Sequence, residues 1–202
     1  MNERRGAYGA DSDIVEYILG ITFEIWDERD VDLIHRYYAE DCVIYGLDGI
    51  VHGAAEVVAG TRATMSAFPD RLLLAEDVIW SGSRDEGYYT SHRLLSLKTN
   101  KGPTQYGPAT GVRVRMTNIA DCVVEDGVIV REWLVRDNMT LATQLGADPV
   151  SSAREMAAER TDEHAAWIEV EMARTRSVRP PASAAGAVDP EQDPETFAWR
   201  VL

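Results

Sequence analysis

Cysteine, positive charge and long apolar runs are all scarce in this chain. Only Cys42 and Cys122 occur, far apart and outside any Cys-x-x-Cys or Cys/His pattern, so there is neither a disulfide framework nor the spacing of a zinc site. Lysine and arginine number 20 against 34 aspartates and glutamates, a formal net charge of -14. A chain so acidic is not built to hold nucleic acid or polyphosphates on its surface. No window of about 18 uncharged apolar residues occurs, and the opening MNERRGAYGADSD has no apolar core of the kind a signal peptide needs. These absences predict a soluble cytoplasmic protein with no membrane and no nucleic-acid partner. The nucleophile elbow, P-loop, HExxH and GxGxxG patterns are missing too, which removes the motif-defined hydrolases, kinases, metalloproteases and dinucleotide enzymes. Acid–base chemistry by side chains is what is left, with no metal and no cofactor expected.

At 202 residues the chain has room for one domain with a proper core plus some appended sequence. Over 13–28, Ile14, Tyr17, Ile18, Ile21 and Ile25 fall at helical spacing, with Asp13 as the capping residue. A second, shorter helix follows from Asp30, with Val31, Ile34 and Tyr38 inward. Cys42 to Tyr45 and Ile50 to Gly53 form a small hairpin, and 53–68 is helical again up to Pro69. Four strand candidates then succeed one another at 71–82, 86–98, 111–124 and 128–140. The last two are joined by Glu125-Asp126-Gly127, whose Asp-Gly supplies the positive φ of a tight hairpin. Helices followed by a run of antiparallel strands make an α+β fold. Long strands twist and curve, so the N-terminal helices are expected to roof a cone-shaped sheet and leave a pocket beneath them. A further helix at 153–175 within 150–176, opened by Ser152 and Glu155, carries a narrow apolar stripe that reads as a docking face. A flexible N-terminus (1–12) and a Pro/Ala/acid-rich tail (177–202) with an apolar end at 197–202 complete the chain.

The stretch 128–139, VIVREWLVRDNM, sets charged residues among apolar ones on both parities. Ile129, Trp133, Val135 and Met139 share one with Arg131 and Asp137; Val130 and Leu134 share the other with Glu132, Arg136 and Asn138. A strand with one side lining a greasy cavity that holds a few placed polar groups has this composition; so does an exposed sheet face laced with cross-strand ion pairs. Around it, the polar residues on or beside the strands include Tyr45, Tyr88, His92, Arg93, Tyr106, Arg113, Asp121, Glu132, Arg136 and Asp137. A histidine and a carboxylate facing each other in an apolar pocket can shuttle a proton to or from a bound molecule. His92, Asp137 and Asp121 are the candidate acid–base groups, with Tyr45 as the donor to a developing oxyanion. Trp133, Arg93, Tyr106, Arg113, Arg136 and Tyr88 are the candidate substrate contacts. Each has a structural reading beside the chemical one. His92 reads also as a hydrogen-bonded strand histidine, the commoner role of a lone histidine in a strand, Trp133 as core packing, and Asp121 as the ion-pair partner of Arg93, Arg113 or Arg136.

Three segments carry a resemblance: FPD at 68–70, SHR at 91–93 followed by PATGVRV at 108–114, and EDGVIVREWLVRD at 125–137. Together with the order of elements over 13–147, they resemble the SnoaL-like branch of the nuclear-transport-factor-2-like superfamily. The resemblance implies a curved antiparallel sheet wrapped by helices around a deep apolar pocket, frequent dimerisation through the sheet, and often no cofactor. It implies polyketide-cyclase or ketosteroid-isomerase types of activity, with His92 and Asp137 at positions where such enzymes keep polar residues. The chain departs from the pattern where the family commonly has His-Trp-Asp and this sequence has Glu132-Trp133-Leu134. Its Tyr-rich strand and long TNKGPTQYGPATG loop resemble the cofactor-free lyases of phenolic diaryl compounds. The leading expectation is a cofactor-independent lyase, isomerase or cyclase for a small aromatic or polycyclic molecule, with retro-aldol-type carbon–carbon cleavage as the first reaction to test. A polyketide cyclase or dehydratase, or a non-catalytic binding or assembly protein, stands beside it. A homodimer or higher homo-oligomer is expected.

Overall fold

Asp13 caps the first helix as its position before Ile14 implies, its carboxylate accepting from the Val15 amide at 2.9 Å. The computed structural model describes residues 13–177; the expected flexible N-terminus and the tail from 178 lie outside the described residues. Helix α1 (Ile14–Thr22) buries Ile14, Tyr17, Ile18 and Ile21 and runs into a π-helical turn, Phe23–Asp27, that buries Ile25. A 3-10 turn (Val31–Leu33) and a single α-helical turn, α2 (Ile34–Tyr37), follow. The expected second helix therefore stops one residue before Tyr38, and Tyr37 takes the buried place. Helix α3 (Ala54–Ala67) ends before Pro69. Asp70, next in the chain, ties that end to the sheet by accepting from the Thr99 amide and hydroxyl at 2.6 Å each.

Six strands make one curved, open sheet: β1 (Tyr38–Gly46), β2 (Gly49–His52), β3 (Leu72–Ser83), β4 (Gly87–Thr99), β5 (Arg113–Glu125) and β6 (Val128–Arg136), in the order β2-β1-β6-β5-β4-β3. Asp126 and Gly127 both take positive φ in the β5–β6 turn, as the Asp-Gly pair requires. Neighbouring strands are antiparallel except β1 and β6, which run parallel, with Tyr45 opposite Trp133. The expected curved antiparallel sheet is present, with β1–β6 as a parallel pair within it. No turn joins β1 to β6, so no local signal states their relative direction. Bulges between Ala75 and Asp77 and between Val123 and Val124 bend the sheet. The bent inner face packs on α1, α2 and α3 through Ile14, Tyr17, Ile18, Ile34, Val58, Cys122 and Ile129.

Strand β6 stops at Arg136, earlier than its composition implies, because Asp137 opens a further helix. Its carboxylate accepts from the Thr140 amide at 3.0 Å and caps α4 (Asn138–Leu145), which Gly146 closes in the left-handed region. Leu141 and Leu145 pack there with Phe68, Val114 and Met116. The segment 153–175, read as one helix, is two. Helix α5 (Pro149–Ala158) is capped by Asp148 and not by Ser152, and α6 (Asp162–Ser177) starts afresh. The chain divides into two units at Arg160/Thr161. Within the second, His164 and Trp167 of α6 stack at 5.7 Å. Among the described residues no helix is long and apolar enough to cross a membrane.

Candidate active site

A cavity of about 370 Å³ lies in the first unit between the inner sheet face and α1, α2 and α3, near the lower end of the size range of small-molecule sites. Strand register determines which side chains enter it. Asn118 is paired with Arg136, Ala120 with Leu134, and Cys122 with Glu132 across β5 and β6, while β4 places His92 beside Ala120. Side chains alternate along a strand, so these residues form successive rows on one face, and all of them line the cavity. The same alternation puts Trp133, Asp121 and Tyr45 on the opposite face.

Two titratable groups in the cavity are displaced in opposite senses. His92 is 2 % exposed, and among the described residues its Nε2 has no hydrogen-bond partner. Burial pushes its pKa down to about 4, so the imidazole is neutral near pH 7 and able to take up a proton. Glu132, 7 % exposed, accepts from the Tyr38 hydroxyl at 2.9 Å. Burial raises its pKa, against the opposing pull of the Tyr38 bond and the Arg136 charge. The carboxyl group therefore holds its proton to higher pH than an exposed glutamate. Beside it the Cys122 thiol is pushed well up by burial and stays protonated.

The other end of the cavity is cationic. Arg71 lies with its guanidinium 4.1 Å from the Trp26 ring centroid, and its buried Nε is unpartnered among the described residues. Burial and the nearby Arg136 lower its pKa to about 9, which still leaves it charged near neutrality. Arg136 pairs with Asp48 of the β1–β2 turn at 3.3 Å. Among the described residues no three His, Cys, Asp or Glu side chains group as metal ligands would.

Of the residues named from the sequence as candidate acid–base groups or substrate contacts, His92 and Arg136 line this cavity and the others lie elsewhere. Asp137 is the exposed cap of α4. Asp121 accepts from the Tyr89 hydroxyl at 3.0 Å, away from the cavity. Tyr45 stacks on Trp133 at 5.7 Å, with Arg131 over the same indole. Arg93 pairs with Glu76 at 3.1 Å, Tyr106 packs beside the Phe68 cluster, Arg113 is exposed at the start of β5, and Tyr88 meets Trp80 edge to face. Glu132, Tyr38, Arg71 and Asn118 were not among the expected site residues. The parity that grouped Leu134, Glu132 and Arg136 was the signal for the first of these.

A family model described as SnoaL-like polyketide cyclase matches residues 17–145. No curated protein sequence matches the chain. Among solved structures, a candidate SnoaL-like polyketide cyclase from Jannaschia sp. CCS1 superposes with a TM-score of 0.59 at 19% identity, over 67% of this chain and 92% of its own. TsrD from Streptomyces laurentii gives 0.58 at 22% identity, over 66% and 96%. A SnoaL-like polyketide cyclase from Agrobacterium tumefaciens strain C58 gives 0.53 at 20% identity, over 65% and 98%. At these identities the structural likeness establishes the fold.

Proposed function

This chain belongs to the SnoaL-like polyketide cyclase family, and within it we propose an acid–base enzyme that uses His92 and Glu132 on a small aromatic or polyketide-like ketone. The observation that carries the reading is the pair displaced in opposite senses in one cavity: a neutral imidazole whose Nε2 has no partner among the described residues, and a carboxyl group whose pKa burial raises. Groups with pKa values displaced in this way are suited to opposite ends of a proton transfer. His92 takes the proton from a carbon next to a carbonyl, whose developing oxyanion accepts a hydrogen bond from the Glu132 carboxyl group. The resulting enolate carbon bonds to a second carbonyl carbon, and the oxygen left there takes the proton of Glu132, which Tyr38 holds in place. Passage of the proton from imidazolium to carboxylate through solvent restores both groups, so no electron is gained or lost. Run forward, this is an aldol-type ring closure. In reverse it is the retro-aldol cleavage of a phenolic diaryl compound, and the same side chains serve both directions. No step calls on a cofactor, and self-association through the outer sheet face is part of the same proposal.

Enolisation alone is measurable without the natural substrate. The protein is expected to speed solvent deuterium incorporation next to the carbonyl of 1-tetralone, followed by NMR. His92→Gln and Glu132→Gln should each slow it by about a hundredfold. Absence of acceleration by the native chain, or unchanged rates in both variants, refutes the assignment.

A further inference from the structure

At the end of the cavity away from Glu132, positive charge and unused hydrogen-bonding capacity are left without a counterpart. The chain as a whole carries a formal net charge of -14, so cations gathered in one place need a local reason. Among the described residues Arg71 has a buried Nε with no partner and a guanidinium whose neighbour is an indole, not a carboxylate. Lys98, 5 % exposed, has its ammonium 4.2 Å from the Phe68 ring centroid and feels both Arg71 and Arg136. Arg136 is the member of the group with an acid, Asp48, at the β1–β2 turn. Beside Arg136 in the sheet register stands Asn118, 2 % exposed and lining the cavity, with neither its amide nitrogen nor its amide oxygen hydrogen-bonded among the described residues. Leaving a buried guanidinium unpaired and an amide unsatisfied is costly. A fold keeps such groups when something else pairs with them.

We propose that Arg71 and Asn118, with Arg136 beside them, form a subsite for the carboxylate of the substrate. A guanidinium fork matches the two oxygens of a planar carboxylate, and the Asn118 amide supplies a further donor. Lys98 packs on Phe68 and is not part of the cavity lining, and Arg136 is already held by Asp48, so Arg71 is the lining cation without an acid partner among the described residues, which fits a monoanion. The strand spacing then gives the molecule a length. From the row of Asn118 and Arg136 to the row of His92 is two residues, and to the row of Glu132 four, or about 7 Å and 13 Å at roughly 3.3 Å per residue. The substrate class is therefore an aromatic or unsaturated keto acid whose acidic carbon lies about 7 Å from its carboxylate. The orientation relative to His92 rests on the acid–base proposal; the anion subsite itself does not.

Binding of 2-naphthoate and its neutral isostere 2-naphthamide, followed by calorimetry, separates the two ideas. The native protein should favour the carboxylate by about tenfold or more, as expected for a charge-assisted hydrogen-bonded pair. Arg71→Gln should abolish the preference, and Asn118→Asp should reverse it by placing a like charge against the ligand. Thermal melts of both variants verify that they fold, and Arg71→Lys, which keeps the charge without the fork, should retain part of the preference. His92→Gln should leave the preference intact. Equal affinities in the native chain, no naphthoate binding at about 1 mM, or a preference untouched by both folded variants overturns the subsite. If the preference follows Arg71 while 1-tetralone exchange is absent, the acid–base proposal fails and the subsite stands. Exchange that depends on His92, without any preference for the carboxylate, removes the subsite and leaves the acid–base proposal in place.

Discussion

Acidification tests the state of His92 without any ligand. Its pKa is held near 4 by burial against an ordinary 6.5. As pH falls, the unfolded chain therefore takes up the proton first, so the unfolded state binds more protons between those two values and stability decreases across that window. Above 6.5 the contribution of this group is constant, and below about 4 its loss is complete. At about 1.4 kcal/mol for each pH unit crossed, the group removes at most about 3 kcal/mol on going from neutral to acid conditions. Water reaching the cavity makes the realised figure smaller. Urea unfolding of the native chain and of His92→Gln, repeated at intervals from about pH 7 to pH 4.5, gives the quantity directly. Titration of the surface carboxylates is common to both proteins and cancels in the difference. The native chain should lose stability relative to the variant as pH drops, by about 2 kcal/mol across the window. A difference flat to within about 0.5 kcal/mol would show that the imidazole is not held neutral, and the base assigned to the proposed reaction would go with it.

Two further outcomes are expected. Because burial raises the Glu132 pKa, 1-tetralone exchange should decline as pH is raised through that value, and Glu132→Gln should lose this alkaline limb along with most of the rate; a limb that persists in the variant assigns it to another group. Asp137→Ala removes the side-chain bond to the Thr140 amide and should cost about 1 kcal/mol in urea unfolding, with exchange unchanged. A drop in exchange comparable to that of His92→Gln would return Asp137 to the chemistry.

The order of elements was readable from the chain because each had a local signal: isoleucines at helical spacing from Ile14 to Ile25, Pro69 closing α3, and Asp126-Gly127 turning β5 into β6. Helix α4 was missed since Asp137 looks the same as the last residue of a strand and as a helix cap, and only the Thr140 amide above it decides. The site was legible in part. The alternation in β6 isolates Leu134, Glu132 and Arg136 as a face, but the choice between that face and the one with Trp133 depends on which side the helices cover. The bulge between Val123 and Val124 also brings Ile129 onto the cavity face. Trp133 and Asp121, attractive as residue types, went to the outside for that reason. Arg71 and Asn118 carry no sequence signal, because their meaning lies in buried polar atoms that find no partner among the described residues.

The parallel pairing of β1 with β6 bears on how the chain reaches its native state. Tyr45 and Trp133 are paired in the sheet although 88 residues separate them, so the ends of a long loop must meet before either strand is complete. A nascent chain has no neighbour to offer the free edge of β1 until residues 128–136 have left the ribosome, and contacts of such span slow folding. Release of the chain before that point strands the hairpin and its helices without the sheet they cover, which makes β6 the segment that commits the whole domain.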